Sequence, residues 1–222
     1  MIIIGHRGAK GLAPENTVAS IKKAMELGVD EIEVDVRITK DGTAILNHNP
    51  AVKDRFNKAF FIIDNTYAEL KKKKTDLLTF EEAVTQINRR VPLLIEVKPR
   101  EPTSKIVTLI QQYLAKGWQT KDFLLGSFSQ KTLLRLHEDL PEIEKVVIES
   151  WSSIRATARA KQLKTKRLNM NQRWLWGGFI RAMKRRGYEL CAYTINNPTK
   201  AQRWAKHGLA GVITDYPDRF KN

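Results

Sequence analysis

From Thr79 onward, stretches with helical periodicity alternate with short apolar runs, and this alternation constrains the fold more than any other feature of the chain. Helical patterns at 80–90, 104–116, 129–138, 152–162, 174–186 and 198–207 are separated by apolar runs at 92–98, 123–128, 145–150, 167–171, 188–195 and 211–215. Short apolar runs between helical patterns read as βαβ units, which pack as a parallel sheet covered by helices. Two more strand-like runs come earlier. Met1 to Gly5 is followed by a helical pattern that opens at Pro14-Glu15-Asn16-Thr17 and stops at Gly28, and Glu31 to Val36 follows that. Eight β segments in one domain predict an α/β fold of the (β/α)8 TIM-barrel type over residues 1–222. A β-hairpin excursion and short insertion after the second strand occupy about 37–78. The final helix is expected to be short or missing, because only Tyr216 to Asn222 follow the last run. An open doubly wound sheet is the alternative, but no glycine-rich dinucleotide turn follows the first strand.

The stretch Glu31 to His48 carries the chemistry. Glu31, Glu33 and Asp35 alternate with Ile32, Val34 and Val36, the period of a strand, so the three carboxylates share one face. Such a face is costly unless it meets water or a cation. Asp41-Gly42 is a favoured centre for a two-residue hairpin turn. Counting outward from it places Lys40 opposite Thr43 and Asp35 opposite His48, so a histidine lands beside the carboxylates. A solvated edge hairpin is the plainer reading of the same charges. Residues 49 to 78 read as a loop with an apolar patch, Phe60 to Ile63, and a basic run, Lys71 to Lys74.

Barrel sites lie at the C-terminal ends of the strands. Those ends carry His6 and Arg7, Glu33 and Asp35, Glu96 and Lys98, Ser127, Glu149, Asn169 and Asn171, Tyr193 and Asn196, and Asp215, and all are expected to converge on one mouth. Glu33, Asp35 and Glu96 form an all-oxygen set that suits a hard cation, Mg²⁺ or Ca²⁺, better than zinc. His6 and His48 beside it resemble an acid and a base. Arg7 and Lys98 are placed to bind an oxyanion, although a simple ion pair with Glu96 also accounts for Lys98. His137 and His207 fall in helices as ordinary surface residues. Cys191, the single cysteine, rules out an intramolecular disulfide and reads as a buried, inert thiol.

Taken in order, Gly5-His6-Arg7-Gly8, Pro14-Glu15-Asn16-Thr17, Glu33-Val34-Asp35, His48, Ile95-Glu96-Val97-Lys98, Ser127-Phe128, Tyr193-Thr194-Ile195-Asn196 and Thr214-Asp215 resemble the glycerophosphodiester phosphodiesterases from end to end. The resemblance implies a TIM-type barrel, a divalent metal on Glu33, Asp35 and Glu96, and acid-base roles for His6 and His48. It also implies cleavage of a glycerophosphodiester to sn-glycerol 3-phosphate and an alcohol. The chain departs from the family pattern at Asn49, where an aspartate is usual. Its segment from Pro50 to Leu78 is also shorter than the usual capping insertion, keeping Asp54-Arg55 but little else.

The 39 Lys and Arg against 24 Asp and Glu give a formal charge of +15, which favours anionic ligands or surfaces. After the sixth strand, Trp174, Trp176 and Phe179 border the expected mouth. Helical packing would bury Phe179 and one tryptophan beneath the barrel's outer layer, but two tryptophans separated by one residue do not easily share a helix face, so at least one is expected to face the mouth and contribute to substrate binding. Together with Phe60 to Ile63 and the lysine run, this opens transient contact with an anionic membrane surface and lysophospholipase D-type cleavage as an alternative activity. A non-enzymatic binder of nucleic acid or anionic surfaces leaves the carboxylates unexplained, and no nucleic-acid partner is expected. A metal-dependent barrel acting on sugars or enolates leaves Arg7 and the paired histidines unexplained. No run approaches the roughly 18 apolar residues of a membrane span, and Met1 to Ile4 is too short for a signal-peptide core. The chain therefore reads as soluble and cytoplasmic. Oligomeric state, the choice of metal and the alcohol released are not legible in the sequence.

Overall fold

The structure is a computed structural model that describes residues 1–220; Lys221 and Asn222, the end of the expected domain, lie outside the described residues. In chain order its elements are β1 (Ile2–Gly5), α1 (Val18–Glu26), β2 (Glu31–Ile38), β3 (Ala44–Leu46), β4 (Ala51–Lys53), β5 (Ala59–Phe61), α2 (Tyr67–Lys73) and α3 (Phe80–Ile87). There follow β6 (Leu93–Val97), α4 (Thr103–Ala115), β7 (Phe123–Ser127), α5 (Gln130–Asp139), β8 (Glu144–Glu149), α6 (Ser153–Gln162), β9 (Arg167–Asn171), α7 (Gly177–Arg185), β10 (Glu189–Tyr193), α8 (Pro198–Ala205) and β11 (Gly211–Thr214).

Eight parallel strands close into a barrel in the order β1, β11, β10, β9, β8, β7, β6, β2, with β2 pairing back onto β1 through Ile4↔Glu31. The helices between strands pack outside. Helix α3 shows how the sequence sets this packing: Phe80, Ala83, Val84 and Ile87 recur at helical spacing and are all buried. Its start is fixed by a reciprocal cap between Thr79 and Glu82, worth roughly 1 kcal/mol. The chain ends in a single 3-10 turn, Pro217–Phe220, so the last helix is short, as expected.

Inward side chains fill the barrel in layers. Ile4, Leu94, Leu124, Val146, Cys191 and Ile213 form an apolar layer. Burial pushes the Cys191 thiol up to about 12, so it is inert, as the sequence suggested. Below that layer Arg167 closes the N-terminal end, with Nη2 donating to both oxygens of Glu31 (2.6 and 2.8 Å) and Nη1 lying 2.6 Å from Glu189 Oε1.

Two expectations need correction around β3. The hairpin pairs Val36↔Leu46, Arg37↔Ile45 and Ile38↔Ala44, one residue out from the count made on a two-residue Asp-Gly turn. Asp35 therefore faces Asn47, whose N–H donates to the Asp35 carbonyl (3.0 Å), and not His48. The cause is Thr39. Its hydroxyl donates to Asp41 Oδ1 (2.5 Å) and accepts the Thr43 N–H (3.0 Å), closing a longer turn in which Gly42 takes φ +81°, a conformation glycine adopts without a steric penalty. Residues 49–78 are also more ordered than a loop. Strands β4 and β5 form an antiparallel pair, and Val52, Ile62, Leu70 and Leu77 pack with Ile45 into a small core of their own. Within the patch Phe60 to Ile63, Ile62 is buried while Phe61 and Ile63 are exposed. Among the described residues no helix is long and apolar enough to cross a membrane.

Candidate active site

Beyond β1 the chain turns sharply, because His6-Arg7-Gly8 must fit between β2 and α1. Arg7 takes a left-handed φ of +52° and Gly8 one of +83°. A Cβ on Gly8 would lie 2.5 Å from the Ser20 carbonyl carbon, so only glycine fits there. The turn aims the Arg7 N–H at Glu33 Oε2 (2.9 Å). Positive φ at a non-glycine residue is uncommon and clusters at functional sites.

The segment from Glu15 to Thr17 divides its labour. Glu15 Oε2 accepts from Arg7 Nη1 (2.8 Å), and Asn16 Nδ2 donates to Asp35 Oδ2 (3.0 Å). Thr17 caps α1.

Glu33 and Asp35 on β2 and Glu96 on β6 bring one ligand atom each to within 4.8 Å of one another, and all three are buried. Two cations serve them. Lys98 Nζ is 2.5 Å from Asp35 Oδ1 and is hydrogen-bonded to Glu96, and Arg7 Nε lies 3.1 Å from Asp35 Oδ2. The ion pair of Lys98 with Glu96 thus exists, but it is shared with Asp35. Burial pushes the Glu33 carboxyl well up and the like charges of Asp35 and Glu96 push it further, while Lys98 and Arg7 outweigh burial at Asp35 and hold it down. Three carboxylates against two cations, one of them also shared with Glu15, leave negative charge over. An all-oxygen set with surplus negative charge fits a hard divalent cation.

His6 follows β1, with its Nδ1 2.6 Å from Asp215 Oδ1 at the end of β11. Burial disfavours charge on Asp215, but hydrogen bonds from His6 and Asn196 outweigh it and take its pKa down to about 2. His48 reaches the site from the chain beyond β3. Its carbonyl accepts from Arg37 Nε (3.1 Å) and Nη2 (3.0 Å), and Arg37 is held in turn by Glu101 (2.9 Å). Asn49 Oδ1 lies 3.1 Å from His48 Nδ1, so this neutral amide takes the orienting position without adding charge. Burial and nearby Lys98 lower the His48 pKa.

These groups open on a cavity of about 490 Å³. His6, Arg7, Glu33, Glu96 and His48 line one side, and Asn169, Asn171, Gln172 and Arg173 the other. Phe128, Tyr193 and Ile148 complete the wall. Tyr193 donates to the Glu149 carbonyl (3.0 Å), and its ring meets Phe128 edge-on at 6.1 Å.

Six strand-end residues expected at the mouth do not line this cavity: Asp35, Lys98 and Asp215 each pair with a lining residue, Arg7, Glu96 and His6 in turn, and the other three turn elsewhere. Ser127 donates to the Val97 carbonyl (2.7 Å), Glu149 turns to Arg155 (2.6 and 2.7 Å), and Asn196 serves Asp215. Trp174 and Trp176 are exposed beside Arg173 and outside the cavity lining, while Phe179 packs against the barrel's outer core. His137 and His207 stand clear of the cavity. The pairing of Arg37 with the His48 carbonyl gave no sequence signal, because a backbone acceptor leaves no mark in the pattern.

A closed (β/α)8 barrel with this site defines a phosphoric diester hydrolase. Residues 6–219 match the sequence profile of the Glycerophosphoryl diester phosphodiesterase family, and the chain belongs to that family. It is 29% identical to the Bacillus subtilis (strain 168) protein YhdW, over 98% of this chain and 96% of that one. It is 28% identical to a glycerophosphodiester phosphodiesterase of Caldanaerobacter subterraneus, over 100% of this chain and 96% of that one. An Oleispira antarctica phosphodiesterase, solved in complex with the product sn-glycerol-3-phosphate, superposes with a TM-score of 0.85 at 26% identity, covering 99% of this chain and 94% of its own.

Proposed function

We propose that the enzyme hydrolyses water-soluble glycerophosphodiesters to sn-glycerol 3-phosphate and an alcohol, with Glu33, Asp35 and Glu96 holding Mg²⁺ or Ca²⁺ and with His6 and His48 moving the protons. The observation that carries this reading is the buried carboxylate triad flanked in one cavity by two histidines. The family and its relatives favour it over lysophospholipid cleavage and over a non-catalytic anion binder. A bound divalent cation would neutralise phosphate charge and lower the pKa of an attacking hydroxyl.

The protein's own residues do the rest. Asp215 stabilises the imidazolium that forms when His6 takes the proton of the nucleophile, so His6 is the base. His48 has an amide in place of a carboxylate partner, and it is assigned as the acid that gives its proton to the leaving alkoxide. One P–O bond forms to the nucleophile and the P–O bond to the alcohol breaks, with one proton accepted and one donated. The same assignment serves attack by water and attack by the glycerol 2-hydroxyl, the latter closing a cyclic phosphate that water then opens. Arg7 and Lys98 offset the charge that builds on the non-bridging oxygens.

Asn169 is fully buried, lines the cavity, and has both amide atoms without a partner among the described residues. A glycerol hydroxyl would satisfy both its donor and its acceptor, and a buried amide left unpaired is costly. Tyr193 borders the same space. Trp174 and Trp176 stand exposed beside the rim at Arg173, outside the cavity lining, and with exposed Phe56, Phe61 and Ile63 they offer transient contact with an anionic membrane surface.

The test compares His6→Ala and His48→Ala on glycerophosphocholine and on a diester with a nitrophenolate leaving group. Each variant should lose roughly 10²-fold or more in kcat on the natural diester. The good leaving group should rescue His48→Ala alone. Equal rescue of both variants contradicts the division of labour.

A further inference from the structure

In the eight-strand ring β9 lies four strands from β2 in either direction, so the wall it contributes faces the carboxylates across the mouth. A phosphodiester seated at the triad has two arms, and the rim above β9 stands where one arm can leave the cavity. That rim carries Arg173, on a 3-10 turn that runs from Gln172 to Trp174. Its backbone N–H is fixed by Asn171 Oδ1 (3.0 Å). Its guanidinium makes no hydrogen bond or ion pair with any described residue, although Arg173 lines the cavity.

The contrast with the cavity's other arginine is chemical. Arg7 is engaged by Glu15 at 2.8 Å and by Asp35 at 3.1 Å, which fixes its guanidinium at the triad, on the phosphate side of the cavity. Arg173 has no carboxylate to answer. The lining carboxylates are Glu33 and Glu96, both at the triad, and none lies on the β9 wall. A second positive charge backs the same side, since Lys200 Nζ donates to Gln172 Oε1 at 2.6 Å. A head group entering here meets an uncompensated guanidinium. That repels a quaternary ammonium and attracts an anion, and a guanidinium binds carboxylate or phosphate through paired N–H donors.

We propose that Arg173 selects the leaving alcohol by charge, favouring alcohols that bear a second anionic group, a phosphate or a carboxylate, over choline-type cations. This rests on the diesterase reading above and names the substrate class for that same site. Selectivity of this kind combines attraction for one substrate with repulsion of the other. Arg173 is a specificity residue at the rim, and it takes no part in the proton transfers.

The experiment uses the full chain loaded with Mg²⁺ or Ca²⁺ and three substrates that differ in the charge of the leaving alcohol: glycerophosphoglycerol bearing a terminal phosphate, glycerophosphoglycerol itself, and glycerophosphocholine. For the wild type kcat/KM should fall in that order, by about fivefold per step, the scale of one exposed charge pair. The spread should shrink as salt rises and the pair is screened. Arg173→Gln should level the series and Arg173→Glu should invert it. The readout is the ratio of kcat/KM among substrates within one protein, so a loss of folded enzyme cancels. A wild type that prefers choline, or an Arg173→Glu variant with the wild-type order, overturns the charge-selection proposal while leaving the diesterase reading intact. Failure to hydrolyse any of the three, and bis(4-nitrophenyl) phosphate as well, overturns both.

Discussion

Glu31 and Glu33 are neighbours on the inner face of β2, and both are buried. They illustrate two uses of a buried carboxylate. At the closed end of the barrel Glu31 receives both of its hydrogen bonds from the Arg167 guanidinium, which also meets Glu189. At the open end Glu33 accepts only the Arg7 backbone N–H among its hydrogen bonds, and Asp35 and Glu96 crowd it with like charge. Glu31 has a guanidinium as its partner, whereas Glu33 has no side-chain hydrogen-bond partner among the described residues. A charge that is fully paired holds the fold together, whereas one left unbalanced on a rigid strand keeps its capacity to bind.

The largest expected effect comes from breaking the paired end. Arg167→Ala strands Glu31 in the interior and should cost about 3–5 kcal/mol in urea denaturation, while kcat of the protein that remains folded stays near wild type. The double change Glu31→Leu with Arg167→Met should recover most of that loss, because apolar replacements of similar volume remove the uncompensated charge. A kcat deficit as large as the stability deficit would show that the two ends are not separable.

At the open end, Arg37→Ala should lower kcat by roughly 10–10²-fold, the range seen when an outer hydrogen-bond partner of a site residue is lost. Arg37 clamps the His48 carbonyl, so KM should move less than kcat. An equal rise in KM would place Arg37 in substrate binding.

A smaller effect concerns acid stability. The pKa of Asp215 in the folded protein, about 2, lies below the ordinary unfolded value near 4, so the group stabilises the fold above about pH 4 and loses that contribution as pH falls toward 2. The difference amounts to roughly 2 kcal/mol at neutral pH. Asp215→Asn should flatten this part of the stability-pH curve, measured by thermal melts between pH 2 and 5. An unchanged slope would remove Asp215 from the network that orients His6.

These pairings also separate what the sequence discloses from what it hides. The eight strands and their helices were legible because apolar periodicity is local, and residues such as Glu33, Asp35 and Glu96 follow from alternation alone. The hairpin register lies one residue from the one that Asp41-Gly42 alone favours, because the Thr39 hydroxyl competes for the turn and closes a longer one. Helix α2 was hidden in the lysine run, where Leu70 is its one buried apolar residue, although the capping pair Thr66 and Glu69 marked its start. Arg167 with Glu31, and His6 with Asp215, are separated by 136 and 209 residues. No local pattern announces such pairs, which appear only when the barrel closes.

The smallest expected change in stability is the most informative about the open end. In excess chelator Glu33→Gln should be as stable as wild type or more stable by about 1 kcal/mol, since a neutral amide removes a buried charge among like charges. Loss of stability would mean that Glu33 is paired after all.

The central claim, that Glu33, Asp35 and Glu96 form the divalent-cation site of a diesterase, is tested most directly by titrating chelated protein with Mg²⁺ and with Ca²⁺ while following melting temperature and hydrolysis of glycerophosphocholine together. The wild type should be inactive in chelator and regain activity as one of the ions raises its melting temperature, because a ligand that binds only the folded state stabilises it. Glu33→Gln should show neither response while keeping its chelated stability. Full activity of the wild type in excess chelator, or an ion-induced rise in the variant equal to that of the wild type, would contradict the assignment.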